Sequence, residues 1–188
     1  MSAGTSVHSL RDFFIAAACL LIASAALLSA CSASSPEAPE PFKVSKSVET
    51  ECLGGLFEMD IPVGMSSNGV SKHGRDSSSE AFFPDKGGTD SGIYISSLDV
   101  SSLDANKFVS EYFDSPPSNA TYKYRNIKIK DLSPNHYLAS ADIFEDGAEE
   151  SRERKICFAL DSHTIINISI KNIQKTYTNT AESSIRVL

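Results

Sequence analysis

Cys31 closes the run Leu27-Leu28-Ser29-Ala30-Cys31, behind an apolar stretch that begins at Phe13 and carries Ser24 as its one polar residue. The surroundings fit a secretion signal: a short start, an apolar core and a small-residue cut. The charged start is thin, because Arg11 is offset by Asp12. An uncleaved anchor is the competing reading, since the stretch approaches bilayer-spanning length.

The run looks like a bacterial lipobox, which implies that residues 1–30 are a signal peptide and Cys31 the lipidated N-terminus. Two or more acyl chains hold a protein firmly at a membrane, whereas one binds marginally. Ser32, where some lipoproteins carry Asp, implies by the same resemblance a periplasm-facing, outer-membrane address. Residues 31–43 read as a tether, because Ser32 to Pro41 has little to bury and its prolines favour an extended spacer. Residues 44–188 are then enough for one domain.

With Cys19 removed and Cys31 acylated, Cys52 and Cys157 remain. In an oxidising compartment a Cys52–Cys157 disulfide is expected; closing a loop of roughly 100 residues is worth about 4.7 kcal/mol in the chain-entropy model. Two buried thiols are the alternative. A third reading makes Cys157 a nucleophile with His163 as base, which needs an orienting group and a lowered thiol pKa. The sequence supplies no frame for it. His73, His136 and His163 lack the ligand spacing of a zinc site, and Gly54-Gly55 and Gly87-Gly88 lack the flanking residues of a phosphate loop. No catalytic set, metal site or cofactor motif is expected.

The remaining chemistry is charge. Removing Arg11 and Asp12 together leaves the net charge at -7, which argues against nucleic acid, whose phosphates need a basic face. Glu145, Asp146, Glu149, Glu150 and Glu153 gather around Asp146-Gly147, a strong hairpin signal. Their spacing does not fit an EF-hand loop. At a hairpin tip they would steer a basic partner face, and Phe82 and Phe83 in the preceding loop would serve as apolar anchors.

These residues must be positioned mostly by strands. Leu56 to Ile61, Gly92 to Leu98, Tyr137 to Phe144, Lys155 to Leu160 and His163 to Ile170 read as strands, with a bulge where the alternation slips between Tyr124 and Ile127. A mid-chain helix starts at Ser102 or Asp104, shows Phe108, Val109, Tyr112 and Phe113 on one stripe, and stops at Pro116-Pro117. Tyr177, Ala181, Ile185 and Leu188 predict a closing helix. The fold class is α+β: an antiparallel sheet of about five to seven strands with a mid-chain and a C-terminal helix.

Glu51-Cys52-Leu53-Gly54-Gly55-Leu56-Phe57-Glu58-Met59-Asp60-Ile61-Pro62 resembles the opening of immunity lipoproteins that protect bacteria against type VI secreted lipase effectors. It departs from them in having Gly55 or Leu56 where a basic residue is usual, and one added residue before Phe57. The order of hairpins and closing helix is similar to the PsbP-like fold. The resemblance implies a non-enzymatic lipoprotein that neutralises a membrane-targeting effector; the alternative is an envelope lipoprotein with a structural or assembly role. Replacing Cys31 by Ala is expected to leave an unprocessed precursor without fatty-acid label, checked by metabolic labelling; equal label in both proteins would overturn the lipidation reading.

Overall fold

Phe57, Met59 and Ile61 alternate with Glu58 and Asp60, and in the structure the three apolar side chains are buried along one strand. The structure is a computed structural model that describes residues 39–188 apart from 75–76, 101–103, 115–119, 134–135 and 149. The signal peptide, Cys31, Ser102, Pro116-Pro117 and Glu149 therefore lie outside the described residues. Pro39–Leu188 forms one compact unit. It begins ahead of the expected residue 44, because Phe42 bridges to Ile173 and packs against the core.

Strands β1 (Ser47–Cys52), β2 (Phe57–Pro62), β3 (Met65–Ser67), β4 (Ser71–His73), β5 (Ser77–Pro84) and β6 (Gly92–Asp99) precede helix α1 (Ala105–Glu111). Then come β7 (Tyr122–Ser133), β8 (His136–Glu145), β9 (Glu153–Ala159), β10 (Thr164–Lys171), helix α2 (Lys175–Thr180), a 3-10 turn (Ala181–Ser183) and β11 (Arg186–Val187). The large sheet has the order β3-β5-β6-β10-β9-β8-β7, with β4 also on β5, and the small sheet the order β1-β2-β11. All pairings within both sheets are antiparallel, so the α+β expectation holds, with more strands than the five to seven foreseen.

Side-chain parity divides the large sheet. Ile93, Ile95, Ile156, Phe158, Ile166, Ile168 and Ile170 share one core with Phe57, Met59 and Ile61 of the small sheet. Phe57 meets Phe158 edge to face at 5.2 Å, a pairing favoured by the ring quadrupoles. On the other face Ala139, Ala141, Cys157, Ala159 and Ile165 form a second core with Val109 and Phe113 of the α1 segment. Asp104 caps α1, its Oδ1 accepting from Lys107 N at 2.9 Å.

The expected bulge lies between Arg125 and Lys128. Before it, Lys123 and Arg125 oppose Phe144 and Asp142; after it, Lys128 and Lys130 oppose Ser140 and Leu138. One inserted residue thus keeps all four cations on the small-sheet side, where strict alternation would turn the last two to the helix side. Asn126 takes a positive φ of 54° there and donates from Nδ2 to Asp142 Oδ2 at 2.7 Å.

That register serves a buried ion network. Arg154 Nη1 reaches Asp142 Oδ1 at 2.6 Å, and Nη2 reaches Glu182 Oε2 at 2.8 Å and Ser140 Oγ at 2.9 Å. Ser140 Oγ donates to Glu182 Oε2 at 2.5 Å, and Lys128 Nζ stands 3.4 Å from Glu182 Oε1. Arg154 Nε has no partner among the described residues. Burial alone would raise the Glu182 carboxyl, but hydrogen bonds from Ser140 and Arg154 and the charges of Arg154 and Lys128 outweigh it, and its pKa lies below the ordinary value.

Three expectations are corrected. Cys52 and Cys157 are free thiols: Cys52 is in the core between the sheets and Cys157 in the core under α1, so the large sheet stands between them and no bridge forms. Phe82 is not a loop anchor; it lies within β5, 3% exposed, in the core against Ile93. The closing helix does not run to Leu188. Thr180, Ser183 and Ser184 hydroxyls turn back onto backbone carbonyls, which competes with helix continuation, and the chain leaves as β11 against β2.

Replacing Arg154 by Met removes the cation that Asp142 faces and leaves Glu182 with the largely exposed Lys128, an expected cost of about 3–5 kcal/mol, read as a lower urea midpoint at unchanged m. Because the folded Glu182 pKa is depressed, its contribution is complete above the ordinary glutamate value of about 4.3 and is lost as pH falls through the folded value. Urea midpoints that stay level across acid pH would contradict this.

Candidate functional site

Helix α1 covers only part of its sheet face. Under it the floor is Ala, Cys and Ile; beyond it, across β5, β6 and β10, the same face changes to Ser79, Ser96, Asn167 and Ser169. Ladder register puts Ser79 opposite Ser96, Ser96 opposite Asn167, Tyr94 opposite Ser169 and Ser169 opposite Lys155. These side chains line an open groove of about 530 Å³, walled by Phe83 and Tyr94 on one side and Tyr112 on the other, a size within the range of small-molecule sites.

The walls are built. Phe83 and Tyr94 meet edge to face at 5.5 Å, over Gly92, where a Cβ would come within 3.2 Å of the Tyr94 ring and 3.3 Å of Phe83. Glycine lets that pair close. Tyr112 packs against Phe108 and Phe113, and Phe113 against Tyr124. Burial, reinforced by Cys157 and Tyr122, pushes the Tyr112 phenol up to about 12, so it stays neutral at ordinary pH.

On the floor, Ser169 Oγ donates to Glu153 Oε1 at 2.7 Å, and Lys155 Nζ lies 5.7 Å from the centroid of the Tyr122 ring. Asn167 Oδ1 is buried and has no partner among the described residues; an unmade bond of that kind costs about 1–3 kcal/mol. At the rim, His73 Nε2 contacts Ser79 Oγ at 2.7 Å on an exposed hairpin. A serine–imidazole contact is half of a nucleophile–base arrangement, and the pair would also need an orienting group and oxyanion donors.

Sequence reasoning did not find this groove. Ser96, Asn167 and Ser169 read as the wet side of alternating strands, and which stretch of that side a helix leaves uncovered depends on packing. The polar run opposite Ile166, Ile168 and Ile170 was the available signal.

The acidic hairpin is formed but thinner than expected. Gly147 takes a φ of 84°, and Ala148 N bonds Glu145 O at 3.0 Å, as an Asp-Gly turn demands. Glu145, Asp146 and Glu150 are exposed, and Asp146 stands 3.8 Å from Lys123. Glu153 does not belong to the tip: it is within β9 and occupied by Ser169. Arg152 Nη1 donates to Pro39 O at 2.7 Å and Asn172 Nδ2 to Glu40 O at 3.3 Å. The chain thus enters the unit at the sheet end that carries the hairpin.

The remaining candidates are dispersed. His163 lies in the exposed turn before β10, its N–H on Asp161 Oδ1, while Cys157 is fully buried, so no nucleophile–base pair is assembled there. His136 Nδ1 faces Ala159 O at 3.1 Å. Among the described residues no group of three or more His, Cys, Asp or Glu side chains could hold a metal, and no helix is long and apolar enough to cross a membrane.

No family model matches the chain, nor does any curated protein. Among solved structures it is similar to the solution structure of cyanobacterial PsbP (CyanoP) from Synechocystis sp. PCC 6803, over 77% of this chain and 94% of that one, at 11% identity and a TM-score of 0.46. The α+β assignment stands on the strand order and helices described above.

Burial, and secondarily the Glu80 charge, raises the Cys52 thiol to about 12 against a weaker opposing backbone hydrogen bond, and burial raises Cys157 as well. Thiols held protonated do not act as nucleophiles. Native protein is expected to resist alkylation at both sites and to take up two labels only after unfolding, by intact mass; a native disulfide, or rapid labelling of Cys157, would contradict this.

Proposed function

We propose that the protein is a lipid-tethered binding protein of the bacterial envelope that neutralises a secreted, membrane-targeting effector of lipase type by stoichiometric contact. Two sequence features support the reading: the lipobox ending at Cys31 and the resemblance carried by Glu51 to Pro62. The observation that carries it furthest is where the chain enters the domain, beside Arg152 and Asn172 at the hairpin end of the large sheet.

The segment from Cys31 to Pro39, even fully extended, reaches at most about 29 Å. An anchor at Cys31 therefore keeps the end bearing Glu145, Asp146 and Glu150 near the lipid surface, where an enzyme attacking lipid must arrive. Carboxylates at that place draw a basic active-site rim and raise its association rate. Phe83, half-buried beside Tyr94, remains available as an apolar contact, whereas Phe82 is committed to the core.

Full-length protein captured from solubilised membranes is expected to bring down one secreted lipase-type effector in equimolar amount, identified by mass spectrometry. Replacing Glu145 and Glu150 by Gln should slow its association several-fold at low salt and hardly at all at high salt. Recovery of envelope-assembly proteins alone would support the structural alternative and overturn this reading, and equal association rates at low salt would remove the hairpin from the interface.

A further inference from the structure

We propose that the groove beside α1 binds a neutral polyhydroxylated ligand, a saccharide, seated on Ser96, Asn167 and Ser169 between the Phe83–Tyr94 pair and Tyr112. The site lies apart from the acidic hairpin, shares Phe83 with the proposed effector contact, and is tested without that partner.

The floor defines the chemistry. Where α1 covers the sheet the side chains are Ala139, Ala141, Cys157, Ala159 and Ile165; where it does not, they change to hydroxyls and an amide across adjacent strands. Asn167 Oδ1 needs a donor that none of the described residues provides. Ser169 Oγ has given its hydrogen to Glu153 and keeps lone pairs to accept, while Ser96 Oγ can do either. Groups that both donate and accept at short spacing are what a hydroxylated ring carries.

Charge selects against an ion. Both Glu80 oxygens are occupied, by Leu53 N and Ser67 Oγ, Glu153 holds Ser169, and Lys155 is drawn toward the Tyr122 ring. A peptide strand is disfavoured too, because the floor is a sheet face whose backbone groups are spent in the ladders on both sides, and strand addition needs a free edge. The flat faces of Tyr94 and Tyr112 suit the C–H faces of a sugar ring. At about 30 Å³ per water, the volume equals roughly 18 waters, enough for one or two rings.

The test is saturation-transfer-difference NMR on the full chain in a sugar-free detergent, with glucose, N-acetylglucosamine, cellobiose and chitobiose as probes. Ring protons of at least one probe are expected to receive saturation at millimolar concentration, with affinity weakened about tenfold in Asn167→Ala and in Tyr94→Ala, and unchanged in Glu150→Gln. Tyr94 is partly exposed, so its variant keeps the test valid should Asn167→Ala not fold. No transfer to any probe, or transfer equal in wild type and both groove variants, would overturn the proposal; neither result bears on capture of an effector.

Discussion

Arg154 is the point on which the molecule is assembled. The residue is 2% exposed, and its guanidinium ties β8 through Asp142 and Ser140 and the C-terminal turn through Glu182. That turn leads into β11, which closes the small sheet against β2, and Ser184 Oγ accepts from Asp60 N of β2 in the same corner. Beside the core the two sheets share, this side chain ties the C-terminal turn that closes the small sheet to the strands of the large one. A buried ion cluster is weak evidence of net stability, since a well-packed apolar set can equal it; what it supplies is a geometry that fails when one partner is missing. Arginine suits the task because its planar fork serves two carboxylates at once, which a lysine ammonium does not reproduce.

The same demand explains the irregularity of β7. Lys128 and Lys130 must reach Glu182 from the small-sheet side, and the bulge with Asn126 at positive φ is the local change that turns them there. With that side sealed by packing and ions, the opposite face of a rigid sheet is available for display. Part of it is filled by the α1 segment, and part remains a polar floor with aromatic walls. The two proposed surfaces, groove and hairpin, thus rest on strands whose other faces are packed against the small sheet and the C-terminal turn.

Much of this was legible in the chain. β2, β6, β8, β9 and β10 follow from apolar alternation, the β8–β9 turn from Asp146-Gly147, the α1 stripe from Val109 and Phe113, and the bulge from the slip between Tyr124 and Ile127. β3 and β4 were not legible, being three residues each and largely exposed; their pairing comes from β5 and not from their own pattern. The Arg154 network was overlooked although Arg154, Ile156 and Phe158 share one parity, because a charged residue at a strand start reads as solvated. The same parity sets Cys157 on the other face, a signal against the disulfide that loop-closure entropy could not register. Phe82 was misplaced because the serine-rich run before it hid the length of β5, and the closing helix was overextended because spacing alone cannot register serine hydroxyls that compete for its carbonyls.

Arg154 and Glu182 act as one unit joining the C-terminal turn to the large sheet. A double-mutant cycle in urea on Arg154→Met, Glu182→Gln and the combined variant measures this directly. A coupling energy of at least about 1 kcal/mol is expected, the second substitution costing much less once the first is made. Additivity within about 0.5 kcal/mol would contradict it.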